Sequence, residues 1–407
     1  MGDRLLARRV VMKKDEFPKI PDSEFKQRLQ GIKEKMSEND IDLVVVFSNL
    51  LDPSAVRYFT DVSPINESSA LVIPLEGEPI MCSGQACHEW SKFKSKVEEV
   101  RIFPEVGEVS GVEYNIEGQY DFRDLFLELK EKYSIKKIGI IGDLIFPVEI
   151  YKKLEEVFQD SGKVSAEGLM YEMRIQKSEN EIECMRKAGQ IISEAFDYAY
   201  PRVKPGITEL DIQADIEGQI LRLGAEAYCL SFSPMIPSGP KNSNLCMNRN
   251  TLREVKESEI IDIQAGALYE GYNAPICTPV VLGRVPDEIR EAVKVADEAK
   301  NTVASAMKPG VSSKELFKVY FNFLEKEGYS KFSPYGSVHS IGMLECESPF
   351  FSSEKDVYLK ENMTVCIDAY FKDLPWGAFR IEDTYLITEG QPELLTDFNK
   401  GFIKENF

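Results

Sequence analysis

The chain has 407 residues, 43% hydrophobic and 29% charged, with a net charge of −19 and a pI near 4.8. That length exceeds one ordinary core and points to two domains or three. The acidic balance argues against a nucleic-acid partner, which would need a basic stripe, and no apolar run approaches the roughly 18 residues needed to span a membrane.

The eight cysteines are scattered and none forms a C-x-x-C pair. A chain of this size needs no disulfide staples, so free thiols and a cytoplasmic location are expected. The segment Met1 to Lys14 is charged and lacks the apolar stretch of a signal peptide.

In chain order, Phe25, Leu29, Ile32 and Met36 recur at helical spacing, and Asn39-Asp40 ends that helix. Leu43 to Phe47 is an unbroken β-branched and apolar run, as in a strand buried on both faces. Val56 to Phe59 follows the Asp52-Pro53 turn. Ala70 to Ile73 and Pro79 to Cys82 flank Glu76-Gly77 as a hairpin. Phe122 to Lys132 reads as a helix, Lys137 to Ile141 as a strand, and Val148 to Phe158 as a helix. This alternation predicts an α/β domain with a mixed sheet. The pattern breaks at Asp160 to Lys163, which divides the chain into domains 1–165 and 166–407. A long helix then opens at Ser178, with Glu179 and Glu181 in its first turn and Ile182, Met185, Ala188, Ile191 and Ile192 on its buried face.

The second domain contains a repeat. Lys204-Pro205-Gly206-Ile207-Thr208 returns as Lys308-Pro309-Gly310-Val311-Ser312, each followed by an amphipathic helix and a glycine, Gly224 or Gly328. Pro-Gly closes one helix and Thr or Ser caps the next. Two similar halves facing across a cleft are expected, and a cleft is where a site usually lies.

The stretch Ser337 to Pro349 holds His339, one of two histidines in the chain, with Gly342 allowing close backbone approach. Downstream, Asp368 in Val-Cys-Ile-Asp and the pair Glu382-Asp383 stand in apolar surroundings. A histidine and two carboxylates on neighbouring strands suit a metal or acid–base chemistry; they equally suit a buried histidine beside strand-end acids. The other histidine, His88, reads as a helix-surface residue. Trp376, in the loop Leu374 to Gly377, would either roof a pocket over a cation or pack.

Several segments together resemble one family. They are Met173 to Ser178, Met185 to Ala188, Ser238-Gly239-Pro240, Gly266 to Tyr272, the His339 stretch and Arg380-Ile381-Glu382-Asp383, with Val56 to Thr60 in the first domain. The family is that of creatinase, aminopeptidase P and prolidase. The resemblance implies a creatinase-type α/β amino-terminal domain and an α+β "pita-bread" catalytic domain of two pseudo-symmetric halves. In its metallopeptidase branch it implies five ligands for two metal ions. Carried over position by position, these fall on Gln264, Pro275, His339, Asp368 and Glu382. Gln264 and Pro275 stand where aspartates are implied, and two dications need several carboxylates to offset their repulsion. Asp262 is expected to reach the site only through a bulge. Cys246 and Cys346 fall where two further histidines are implied, and Cys277 and Cys366 bring four thiols near the cleft.

The resemblance therefore implies a metal-independent, creatinase-like hydrolase of a C–N bond in a small guanidino, amide or cyclic amidine solute. His339 would be its acid–base group, with Asp368 and Glu382 as catalytic carboxylates. Substrate contacts are expected from Arg380, Gln264, Tyr272, Cys277, Glu67 and Trp376. No cofactor is expected, the alternative being one divalent ion at His339, Asp368 and Glu382. Two other activities stay open: an Xaa-Pro dipeptidase or aminopeptidase with a reduced metal site, and a catalytically inactive binding protein. A homodimer is implied by resemblance.

Overall fold

Strand β1 (Leu43–Ser48) is buried along its whole length, as its unbroken apolar run requires, and lies inside a six-stranded mixed sheet. The computed structural model describes residues 17–108, 120–229, 232–354, 356–398 and 402–404; the charged segment Met1 to Lys14 lies outside them. On one side of β1 run β2 (Ser69–Pro74), β3 (Ile80–Ser83) and β4 (Glu99–Ile102); on the other run β5 (Lys137–Ile141) and β6 (Gly162–Ser165). β2 and β3 form the expected antiparallel hairpin, whereas β1 and β5 pair in parallel. Helices α1 (Asp22–Glu38), α2 (Ser54–Thr60), α3 (His88–Lys94), α4 (Phe122–Lys132) and α5 (Val148–Val157) complete this domain. Val56 to Phe59 belongs to α2, which Asp52 opens by accepting hydrogen bonds from Ser54 N (3.0 Å) and Oγ (2.6 Å).

After α6 (Glu167–Arg174), helix α7 (Glu179–Ala199) starts on a capping box between Ser178 and Glu181. It packs on a second, eight-stranded sheet. Its strands are β7 (Ala227–Tyr228), β8 (Ile260–Tyr269), β9 (Tyr272–Leu282), β10 (Val338–Ser340), β11 (Thr364–Leu374) and β12 (Gly377–Leu386), in the order β10-β11-β12-β9-β8-β7. Short β13 (Glu393–Leu394) joins β12, and β14 (Ile403–Lys404) joins β9. The remaining helices are α8 (Glu209–Arg222), α9 (Gly239–Asn242), α10 (Asp287–Ala306) and α11 (Ser313–Glu327).

Strand alternation divides this sheet into two faces. Ile261, Ile263 and Ala265 of β8 share a core with Ile182, Ala188 and Ile192 of α7. Val365, Ile367 and Ala369 of β11 share another with Ala292, Ala296 and Leu316 of α10 and α11. The opposite face of the same strands carries Asp262 and Gln264, then Cys366 and Asp368. Two helix-backed halves thus turn their polar residues inward, which is the pita-bread arrangement.

Buried ion pairs tie the domains together. Arg28 of α1 contacts Glu24 (2.7 Å), Glu181 of α7 (3.1 Å) and the Tyr272 hydroxyl (3.0 Å). Within the second domain Glu347 is bound by both Arg174 and Lys177, all three almost wholly buried, and Arg174 also donates to Ser54 Oγ of the first domain (3.1 Å). A Cβ at Gly342 would collide with the Glu347 carboxylate, so the glycine serves the close approach expected of it.

Candidate active site

The register of the sheet stacks the site in rows. Asp368 of β11 lies opposite Glu382 of β12, Glu382 opposite Cys277 of β9, and Cys277 opposite Gln264 of β8. One pleat away, His339 of β10 lies opposite Cys366, and Cys366 opposite Thr384. Because the residues stand on regular strands, their spacing is set by backbone hydrogen bonds rather than by loops.

Glu382 is the hub and is fully buried. His339 Nε2 lies 3.2 Å from its Oε1, and the Cys277 thiol donates to its Oε2 at 3.0 Å. His339 Nδ1 is 3.3 Å from the Ser340 carbonyl, and Glu345 Oε1 approaches Nε2 to 3.5 Å. Cys366 Sγ sits 3.6 Å from Thr384 Oγ1. Beside this cluster lies a second one. Arg380 Nη2 donates to the Tyr335 hydroxyl (2.8 Å), which donates to Asp368 Oδ2 (2.9 Å), while Arg380 Nε stands 3.3 Å from Asp368 Oδ1. Gln264 Nε2 donates to Asp262 Oδ2 (2.7 Å). Asp262 Oδ1, Gln264 Oε1, Asp368 Oδ1 and Arg380 Nε are buried without a hydrogen-bond partner. Such atoms are rare in folded proteins and mark places where polar groups of a ligand or solvent belong.

The electrostatics follow from burial and pairing. Burial works against a charged His339, but hydrogen bonds with Cys346 and Glu382 and the charges of Glu345 and Glu382 outweigh it and hold the imidazolium well above its ordinary range. Burial likewise opposes ionisation of Glu382, yet His339 and Arg380 keep it below the usual carboxylate value. Glu345 is pushed up to about 7 by burial, against the pull of His339. Asp262 also rises to about 7, chiefly through burial. The Cys366 and Cys277 thiols are raised by burial and by the charge of Glu382.

The expected residues divide into two groups. His339, Glu382, Asp368, Arg380, Gln264 and Cys277 meet on the inner face. Tyr272, Glu67 and Trp376 do not. Tyr272 sits on the other face of β9, where its hydroxyl donates to Glu181 (2.7 Å). Glu67 is consumed by the backbone amides of Ala86, Cys87 and Glu108 in the first domain. Trp376 stacks on Phe379, at 5.8 Å, on the helix-covered side of the sheet. Asp262 reaches the site without any bulge, because residues two apart on a strand share a face. Tyr335 was missed by the sequence reading; nothing in Pro334-Tyr335-Gly336 signals that its hydroxyl bridges Arg380 and Asp368. Cys366 was legible only as one thiol among four, although its place two residues before Asp368 puts it on the same face. His88, at the start of α3, is bonded to Ser83 Oγ (3.0 Å) in the first domain.

Comparison with known proteins gives the class. The model of metallopeptidase family M24 matches residues 183–389, half of the chain, and that of the creatinase/prolidase amino-terminal domain matches residues 28–176. The chain therefore belongs to metallopeptidase family M24, whose members are hydrolases of C–N bonds. It is 28% identical to an Xaa-Pro dipeptidase of Pyrococcus furiosus over 91% of this chain and 98% of that protein. It is also 28% identical to an Xaa-Pro dipeptidase of Pyrococcus horikoshii over 93% and 99%. The crystal structure of the prolidase from Pyrococcus horikoshii OT3 superposes with a TM-score of 0.79 at 25% identity, covering 93% of this chain and all of that one.

Membership in a metallopeptidase family corrects the expectation of a site without a cofactor. The residues do not fit the pair of ions drawn from the resemblance. Pro275 offers no side-chain donor, Gln264 is neutral and turned to Asp262, and Asp368 is engaged by Arg380 and Tyr335. They do fit a single ion. A nitrogen of His339, the sulfur of Cys366 and an oxygen of Glu382 all lie within 4.8 Å of one another. The set expected from sequence for one ion had Asp368 as its third member; in the structure Asp368 stands against Arg380 and Tyr335, and Cys366 is the third member of the close cluster.

Proposed function

We propose that this chain hydrolyses the C–N bond of a small, dipeptide-like substrate of the Xaa-Pro type. The observation that carries the proposal is the His339–Glu382 pair, 3.2 Å apart on the central sheet of a chain that aligns along nine-tenths of its length with proteins described as Xaa-Pro dipeptidases. A divalent ion bound beside that pair supplies Lewis acidity and an activated water. Glu345, 3.5 Å from His339 Nε2 and less buried than Glu382, is placed to carry a proton from attacking water to the leaving nitrogen. The partnerless acceptors of Asp262, Gln264 and Asp368 form a receptor for a substrate ammonium, and Arg380 keeps their combined negative charge within bounds. Without the ion, Glu382 pairs with the imidazole at 3.2 Å and orients it.

The same acceptors favour a second substrate class, a guanidino or cyclic amidine solute whose N–H groups would satisfy them. One screen separates the two. Untagged protein is incubated with Xaa-Pro dipeptides and with guanidino and amidine solutes, and proline, urea and ammonia are followed. Proline release, lost in His339→Ala, is the expected result. Urea or ammonia release without any proline would overturn the dipeptidase assignment.

A further inference from the structure

We propose that His339, Cys366 and Glu382 form a mononuclear N,S,O site for one zinc-class ion, with the Cys366 thiolate as a ligand. The inference deepens the proposed hydrolase reading and rests on it only for the reaction, not for the binding of metal.

Four observations converge. The three donor atoms lie within 4.8 Å of one another, and a tetrahedral zinc ion asks for separations of about 3.5 Å, a contraction within reach of side-chain rotation. All three residues sit on paired strands, with His339 opposite Cys366, so the cluster is held by the sheet and not by a loop. Each donor has an outer partner of the kind that orients a ligand. The Ser340 carbonyl lies against His339 Nδ1, Thr384 Oγ1 against the Cys366 sulfur, and the Cys277 thiol against the second Glu382 oxygen. Finally, Glu345 Oε1 lies 3.5 Å from His339 Nε2, so a further oxygen donor stands beside the cluster.

The donor set also selects the metal. A thiolate and an imidazole favour zinc or cobalt over manganese or magnesium, which prefer oxygen. On binding, Cys366 loses its proton to solvent and a metal–sulfur bond forms, with no change of oxidation state. With Gln264 and Pro275 where aspartates are implied, a second ion lacks its anionic ligands; the Cys366 thiol from the adjoining row completes the site for one.

The test uses untagged full-length protein, stripped with chelator and titrated with cobalt(II) alone. One equivalent is expected to bind, with a near-ultraviolet sulfur-to-cobalt charge-transfer band. Cys366→Ser should abolish the band and weaken cobalt binding beyond the roughly 10–100-fold typical of an outer partner. Cys277→Ser should retain the band. Melting temperatures of both variants, read without metal, report whether they fold. Two bound equivalents, no binding, or a stoichiometric complex lacking the band in the wild-type chain would each overturn the site, as would a band lost in Cys277→Ser but kept in folded Cys366→Ser. Outcomes for the two proposals are separable. Cobalt bound with the band but no dipeptide cleaved sinks the dipeptidase assignment alone. Dipeptide cleavage undiminished in metal-free protein that binds no cobalt sinks the metal site alone.

Discussion

The two halves of the second domain share a scaffold and differ in chemistry. In the first half, Gly206 N donates to Val255 O (3.0 Å) and Val255 N to Ile207 O (2.8 Å); in the second, Gly310 N donates to Leu359 O (2.9 Å) and Leu359 N to Val311 O (2.9 Å). Both glycines have φ of +90°, where a side chain would be strained. Both following helices open on a capping box, Thr208 with Asp211 and Ser312 with Glu315. Yet the first half presents Gln264 and Pro275 to the cleft, while the second presents His339, Cys366, Asp368 and Glu382. Scaffold and site are therefore separable: turns, caps and a helix-backed sheet face keep the fold, and the inward residues can change without disturbing it.

That contrast can be broken by experiment. The largest effect is expected on turnover. His339→Ala removes a proposed metal ligand and should lower kcat by more than about 100-fold, beyond the loss typical of an outer partner, whereas Gln264→Ala in the other half should cost under about tenfold. Equal losses from the two would show that the halves share the chemistry.

Next comes the buried ion cluster on Glu347, which also falls on the second half. Glu347→Ala leaves Arg174 and Lys177 buried without their counter-ion. A loss of about 3–5 kcal/mol is expected, read as a lower denaturant midpoint. A loss under about 1 kcal/mol, the range of surface pairs, would mean that water already reaches these charges.

Asp262, on the first half, should set a pH dependence of stability. Its folded-state pKa of about 7 lies above the ordinary value of 3.8, so the folded protein holds the proton more tightly than the unfolded chain. Its contribution is therefore most favourable below about pH 4, declines as pH rises to about 7, and is flat above that. Asp262→Asn should remove this slope and raise the stability at pH 8 by at most about 4 kcal/mol. A parallel pH profile in wild type and variant would place the ionised carboxylate at no cost in the fold.

The smallest effects sharpen the symmetry. Thr208→Ala and Ser312→Ala should each cost about 1 kcal/mol, and equally, because each removes one cap acceptor from an equivalent helix start. A difference beyond about 1 kcal/mol would show that the two caps are not equivalent.

Most of the scaffold was readable in the chain. Phe25 to Met36, Leu43 to Phe47, the α7 start at Ser178 and the Pro-Gly-capped repeat carry local signals, because periodicity and capping act over a few residues. The candidate site was readable in part. His339 stood out through rarity and Glu382 through its motif, while Trp376, Tyr272 and Glu67 were assigned to a cleft they do not face. Which side of a strand a loop aromatic or a tyrosine takes depends on what packs there, and here Phe379 and Glu181 claim them.

Composition, period and cap residues pointed to two domains and to most of their elements, since those properties are written within a turn or a strand, while the neutral residues Gln264 and Pro275 were marked by the family resemblance. The partnership of Cys366 with His339 and Glu382, the withdrawal of Asp368 to Arg380 and the entry of Tyr335 arose from strand order and register. Those bring together residues from β10, β11 and β12 and the loop before them, and no local pattern encodes which strands become neighbours.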